Sequence, residues 1–375
     1  MDKRTHIAVN TRLLLNNRLE GIGWFIHETF QRITAEHPEI QFHFLFDRAF
    51  DPQFIYNSNV TPHVIPPQAR HPILFDLWFD YRIPRVLKRT NSKLFISPDG
   101  FLSRRTNVPQ LPVIHDLNFE LHPELLPPHI AKYYRNRFPA FAKKAARIAT
   151  VSEFSKHDIH SLYGIENEKI DVVYNGVSEV FRPPAEDDAV ETKSAFTNGQ
   201  DYFVFVGSLH PRKNIKRMLE AFDDFAKDNE QIQMLLVGEL MWKNNEFMDF
   251  YKQLDSKDRI KMCGRLERVQ LAKVVAAAKA MVFVPLYEGF GVPVLEAFAS
   301  ETPLIASNVT SLPEVAGKGA LYVDPYDVAA ITVAMKEILV PEVASRLTSH
   351  GTTQLDLFSW EKSSSLLWNS ISKAL

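Results

Sequence analysis

The strongest constraint on the fold is a rhythm. Short, almost wholly apolar runs alternate with longer amphipathic segments, and the pattern occurs twice. HIAV from His6, FHFLF from Phe42, LFIS from Leu94, PVIHD from Pro112, IATVSE from Ile148 and IDVVYNG from Ile170 read as buried strands. YFVFVGS from Tyr202, QMLLVGE from Gln233, IKMCG from Ile260, AMVFVP from Ala280, PLIASN from Pro303 and ALYVD from Ala320 restart it, spaced by helices such as 215–228 and 270–279. Strands alternating with helices predict parallel sheets with covered faces, hence two doubly wound α/β domains. Between them, FRPPAEDDAVETKSAFTNGQD at 181–201 sets Pro183 and Pro184 before acidic and polar residues without a clear strand. That stretch marks the expected boundary, with a first domain at 1–185 and a second at 186–359. After Leu339 only helices are expected, the last at 360–375 with Ser359 as N-cap and Glu361 in its first turn.

The totals agree. A chain of 375 residues exceeds what one hydrophobic core commonly serves. Hydrophobic residues at 45% and charged residues at 23% are ordinary for a globular protein. A net charge of −2 supplies no field that would draw nucleic acid. The single cysteine, Cys263, excludes an intramolecular disulfide and fits a reducing compartment. The start, MDKRTHIAVNTRLLL, lacks the apolar block of a signal peptide. The most apolar stretch, 274–287, is broken by Lys279 and falls short of the roughly 20 residues a bilayer span needs. A cytoplasmic location is expected, either free or at the inner face of the cell membrane.

Ligands of open parallel sheets sit beyond the carboxyl ends of strands, and the polar and glycine-rich residues gather there. Gly21 and Gly23 are expected in the loop after the first strand. His115 and Asp116 close PVIHD, Ser208, Arg212 and Lys213 follow FVFVG, and Glu288 to Gly291 follow VFVP. Two cations at a helix start oppose the helix dipole, so Arg212 and Lys213 are either a solvated basic turn or a clamp for an anion such as a diphosphate. In YEGFGVPVLEA a helix is expected to begin near Pro293, placing backbone N–H groups of Phe290, Gly291 and Val292 at an anion-binding terminus. Glu296 would lie in its first turn, as a dipole partner or a ligand for hydroxyls, and Glu288 on the loop before it. The two could instead be a hydrolase's acid and base. His115 is open to two readings, a polar group of the site or a satisfied boundary histidine. Gly21-Ile22-Gly23 is followed by Ile26, so the dinucleotide fingerprint is incomplete and a tight turn explains it. The chain has no Asp-x-Asp, P-loop, G-x-S-x-G or Cys-x-x-Cys, and His157 and His160 read as exposed helix residues, so no metal is called for.

Taken together, VGSLHPRKN, YEGFGVPVLEAFASETPLIASNVTSLPEVAG, VIHDL, VSEFSKHDI, VVYNGV and FSWE resemble the group 1, or family 4, retaining glycosyltransferases. The likeness runs in order over most of the chain and is weakest over 30–90. It implies the GT-B architecture, two Rossmann-like domains facing each other across a cleft. It further implies a nucleoside diphosphate sugar held mainly by the second domain, an acceptor held mainly by the first, and a closing helix that crosses back to the first. Lys213 and Arg212 would clamp the diphosphate, Glu288 would meet the sugar hydroxyls and Glu296 the ribose. Gly289 and the N–H groups of Phe290, Gly291 and Val292 would touch sugar and phosphate. His115 would approach the reacting carbon, and Gly23 would line the loop facing the diphosphate. The base would rest near Gly264, Arg265 and Leu266. Ser208 stands where many relatives carry arginine, which shifts one diphosphate contact toward Arg212.

The implied reaction is retaining, metal-independent hexosyl transfer to a hydroxyl of a glycan or lipid-linked acceptor in surface polysaccharide assembly, with no cofactor beyond the donor. GDP-mannose leads among donors, ahead of UDP-glucose, UDP-N-acetylglucosamine and deoxyhexose nucleotides. A sugar-nucleotide epimerase, a phosphorylase or a silent sugar-nucleotide-binding subunit of the same architecture is the alternative. The segment 133–147, YYRNRFPAFAKKAAR, is either a contact with an anionic membrane or a solvated helix face.

Overall fold

The structure, a computed structural model, describes residues 4–16, 18–241 and 245–375, so residues 1–3 of the amino-terminal stretch lie outside it. The chain divides into two compact units, one of Met1–Asn175 with Trp360–Leu375, the other of Gly176–Ser359. Each is built on one parallel sheet. The first contains Thr5–Asn10 (β1), Ile40–Phe46 (β2), Val60–Val64 (β3), Leu94–Ser97 (β4), Gln110–Ile114 (β5), Ile148–Thr150 (β6) and Ile170–Val172 (β7). Their spatial order is β3-β2-β1-β4-β5-β6-β7. The second contains Asp201–Val206 (β8), Ile232–Val237 (β9), Ile260–Gly264 (β10), Ala280–Phe283 (β11), Leu304–Ser307 (β12) and Ala320–Val323 (β13), ordered β10-β9-β8-β11-β12-β13.

The central strands are apolar on both faces because helices cover both. In β1, Ile7, Ala8 and Val9 are all shielded from solvent, and β2 is buried along its whole length. In each unit the chain builds outward from its first strand, returns, and builds the other way. Strand order therefore reverses between the paired strands β1 and β4, and again between β8 and β11. Loops leaving such neighbours diverge and open a crevice at the carboxyl ends, the usual ligand position in these sheets.

Three features differ from the sequence expectations. The first sheet has a strand more, β3, reading VTPHV. Its partly exposed residues and Pro62 hide it from a search for apolar runs, and an edge strand tolerates both. The units join at Asn175 and Gly176, ahead of the break expected at 185, and 186–197 is helical (Glu186–Thr197). Pro183 and Pro184 are exposed residues that precede this helix rather than a domain boundary. Gly21 and Gly23 lie in the first turn of the helix Gly21–Glu36, not in the loop before it.

The closing helix Trp360–Ala374 belongs to the first unit. Trp368 stacks on His37 with ring centroids 3.5 Å apart, and Arg32 donates to Glu361 at 2.8 Å. Asp171 in β7 accepts from Ser370 at 2.7 Å, from Lys373 at 3.0 Å and from Arg147 at 2.7 and 2.8 Å. Burial pushes the Asp171 carboxyl up, but these donors outweigh it and hold it at about 2.

Candidate functional site

In the second unit the crevice between β8 and β11 gathers the basic turn and the glutamate loop. At the end of β8, Gly207 and Gly238 pass so closely that a Cβ on Gly238 would fall 1.9 Å from the Gly207 carbonyl oxygen, and Gly238 has φ +148. Only glycine allows this approach. Ser208 then stands exposed. His210 accepts from the Arg212 N–H at 3.2 Å and caps the 3₁₀ turn Pro211–Lys213. Asn214, in the left-handed region at φ 59, joins that turn to the helix Ile215–Ala226. Its amide donates to the Val284 carbonyl at 3.1 Å and the Pro325 carbonyl at 2.6 Å. The Leu286 N–H donates to the Arg212 carbonyl at 2.9 Å, so the two loops are laced together through their backbones.

Arg212 Nη1 donates to the Tyr287 carbonyl at 2.8 Å and to Glu288 Oε2 at 3.0 Å. Lys213, only 7% exposed, pairs with the same oxygen and lies 5.0 Å from the centroid of the Phe283 ring. Burial would raise the Glu288 carboxyl, but the two cations outweigh it and keep it ionised. Ser311 Oγ ties the loop down by donating to the carbonyls of Glu288 and Phe290 at 2.9 and 3.1 Å. Gly291, at φ +94, is the N-cap of the helix Val292–Ala299, which starts without a side-chain cap among the described residues. Its first-turn N–H groups carry the positive end of the dipole.

Glu296, in that helix, is in a different state. Its Oε2 is shielded from solvent and has no hydrogen-bond partner among the described residues. Burial raises its carboxyl to about 7, against a weaker opposing pull from Arg268. A buried carboxylate oxygen of this kind is chemically suited to accept from a hydroxyl. Gly264, Arg265 and Leu266 lie at the carboxyl end of β10, where the Gly238 N–H donates to the Gly264 carbonyl at 2.8 Å. Gly264 faces open space.

In the first unit, His115 follows β5. Its Nε2 lies 2.8 Å from the Pro98 carbonyl, which can only accept, so Nε2 carries the proton and Nδ1 a lone pair. Burial lowers its pKa, more than the Pro98 hydrogen bond raises it, and the ring is neutral. Gly23 is buried in its helix, and a Cβ there would lie 2.9 Å from the Leu13 carbonyl oxygen. Gly23 thus lies in the helix start, where the missing side chain lets Leu13 and Leu19 approach closely.

Sequence reasoning missed the network at the β1/β4 crevice. Arg12 Nε donates to Asp99 Oδ2 at 2.5 Å and its Nη1 to the Ala69 carbonyl at 2.7 Å, while its guanidinium lies 5.0 Å from the Phe75 ring centroid. Ser97 donates to Asp99 at 3.0 Å and Asn10 to Ser97 at 3.1 Å. The one available signal was that these polar residues immediately follow or end apolar runs. The segment 133–147 falls mostly in the helix Pro128–Lys144, whose aromatic side chains turn inward. Tyr133 donates to Asp76 at 2.8 Å, Phe138 and Phe141 are buried, and the segment's exposed residues, Lys143 and Lys144 among them, include no aromatic.

This arrangement, two doubly wound units each built on one parallel sheet, is matched by known proteins. Residues 186–349 match the family model for glycosyl transferases group 1, and residues 20–180 that for glycosyltransferase family 4. The chain belongs to the group 1 glycosyltransferases, and its fold is GT-B. It is similar to the O-antigen chain mannosyltransferase B of Escherichia coli, 30% identical over 302 residues that cover 78% of each chain. It is also similar to the O-antigen chain mannosyltransferase RfbU of Salmonella typhimurium, 26% identical over 80% of this chain and 78% of that one. Among solved structures, sucrose-phosphate synthase from Thermosynechococcus elongatus shares the fold at a TM-score of 0.79 and 17% identity, over 99% of this chain and 100% of that one. Anabaena HepE, solved in complex with UDP-glucose, does so at 0.77 and 14%, over 98% and 100%. Among the described residues no helix is long and apolar enough to cross a membrane.

Proposed function

We propose that the protein transfers a mannosyl group from GDP-mannose, with retention of configuration and without a metal, to a hydroxyl of a glycan or lipid-linked acceptor during surface polysaccharide assembly. The names of its relatives support the sugar and the setting. The observation that carries the site reading is the pair of states in one loop and helix: Glu288 ion-paired to two cations, and Glu296 with a buried oxygen awaiting a donor. The donor diphosphate takes over Lys213 and Arg212, and Glu288 turns to the sugar hydroxyls. Ribose hydroxyls donate to Glu296, and guanine rests near Gly264, Arg265 and Leu266.

In the transfer step, the bond between the anomeric carbon and the diphosphate oxygen breaks and its electron pair stays on that oxygen. The acceptor oxygen bonds to the anomeric carbon on the same face, and its proton passes to the departing phosphate oxygen. Arg212, Lys213 and the N–H groups of Gly291 and Val292 stabilise charge that grows as the bond breaks, so they favour the transition state over the bound donor.

The test is incubation of purified protein with GDP-mannose and a lipid-linked oligosaccharide, with and without EDTA, and product anomers read by NMR. An α-linked mannoside in both conditions is expected. Lys213→Ala should lose about 2.7–4 kcal/mol of barrier stabilisation, roughly a hundred- to thousandfold in rate. Full transfer by that variant, or turnover of UDP-glucose alone, overturns the assignment.

Peripheral membrane contact is part of the proposal, at a different place from 133–147. Ile73 (72% exposed), Leu77 and Tyr81 recur at four-residue intervals along Pro72–Leu77 and Trp78–Arg82, beside exposed Arg70, Arg82 and Arg85. Apolar residues flanked by arginine suit an anionic lipid surface. Salt-sensitive sedimentation with phosphatidylglycerol vesicles, lost in Ile73→Asp, is the expected result; sedimentation equal in the variant counts against it.

A further inference from the structure

The chain passes from the second unit to the first through Phe358, Ser359 and Trp360. Phe358 is 5% exposed and Trp360 4%. Within the second unit, Phe358 packs edge-on against Phe290, with centroids 5.7 Å apart at 81°. Phe290 precedes the N-cap Gly291 and sits in the loop that carries Glu288. Within the first unit, Trp360 meets Phe25 at 6.4 Å and 72°, and Phe25 meets the His115 ring at 5.2 Å and 89°. Each aromatic of the crossover thus ends on a residue of the candidate site in its own unit. The Trp360 indole N–H has no acceptor among the described residues, so its ring contacts, not a hydrogen bond, hold the side chain. Leaving such a donor buried is costly, and phenylalanine would avoid the cost. An indole at this position therefore calls for an explanation beyond packing.

We infer that Phe358–Ser359–Trp360 is a positioning strap. Phe358 sets the donor loop through Phe290, and Trp360 sets the plane of the His115 imidazole through Phe25. The two anchors are one residue apart, so their Cα atoms are no more than about 7 Å from each other and a shift of one loads the other. The inference rests on the role near the reacting carbon that the family resemblance implies for His115 and on the proposed role of the 288–292 loop.

The experiment compares Trp360→Phe, Phe358→Leu and a two-glycine insertion after Ser359 with the wild type. Trp360→Phe removes the stranded N–H, so its Tm should match or exceed wild type. Its smaller ring should still lower kcat about two- to tenfold, the value of one aromatic pair, with donor KM unchanged. Phe358→Leu should raise donor KM by a similar factor. The insertion, which leaves both ring pairs in place, should lower kcat while keeping Tm. Wild-type kinetics in the insertion variant, or kcat and KM that follow Tm alone, overturn the strap. His115 imidazole signals in a 15N NMR spectrum supply a readout independent of turnover, and they should move in Trp360→Phe. If they do not move, the strap fails. If they move but His115→Ala transfers sugar at the wild-type rate, the role given to His115 fails instead.

Discussion

Glu288 and Glu296 share a residue type and a neighbourhood, yet end in opposite electrostatic states. Glu288 has two cations and is held ionised below the usual range, while Glu296 has burial and little else. The stability that protonated Glu296 contributes is complete below the ordinary glutamate value of 4.5 and is lost as pH rises through about 7. Hydroxyl donors favour the ionised form, so a bound sugar nucleotide lowers that pKa and binds more tightly as pH increases from about 6 to 8. Titration calorimetry with GDP-mannose should show this trend in wild type and a flat, weaker response in Glu296→Gln. Equal pH profiles for the two proteins would remove Glu296 from the donor site.

At the scale of elements, one carboxylate helps to fasten the closing helix. Asp171 accepts from Arg147, Ser370 and Lys373, and its folded pKa of about 2 lies below the ordinary 3.8. Its contribution is therefore present above 3.8 and lost as pH falls through about 2. Asp171→Asn should cost about 1.5–3 kcal/mol, the range for hydrogen bonds to a charged group. Hydrogen exchange should report the loss first in 360–374; uniform loss across the first unit would show that the cluster does not act on the helix. The helix Pro128–Lys144 shows how an element can mislead. Its basic and aromatic residues look like a membrane face in the sequence, but the aromatic half fills the core around Phe101, and Tyr134 lies 5.5 Å from that ring.

The whole molecule holds two separate cores, each around its own sheet, so a single unfolding free energy does not describe it. Calorimetry should resolve two transitions. Sugar nucleotide at about a hundred times its Kd should stabilise only one of them, by about 2.7 kcal/mol. A shift in both, or in neither, would misplace the donor site. Much of this organisation was legible in the sequence because burial on both faces forces a strand to be continuously apolar, a property of neighbours in the chain. Hence twelve of the thirteen strands stand out as apolar runs, while the edge strand β3, wet and interrupted by Pro62, does not. The candidate loops were legible for the same local reason, since glycines, a proline and charges follow apolar runs. What they touch was not. Arg212 and Glu288 are 76 positions apart, and Arg12 and Asp99 are 87 apart. Only the pairing of β8 with β11, and of β1 with β4, brings each pair into hydrogen-bond range. The same packing leaves Glu296 buried with an unused oxygen, because desolvation depends on everything around a group and on almost nothing beside it in the sequence.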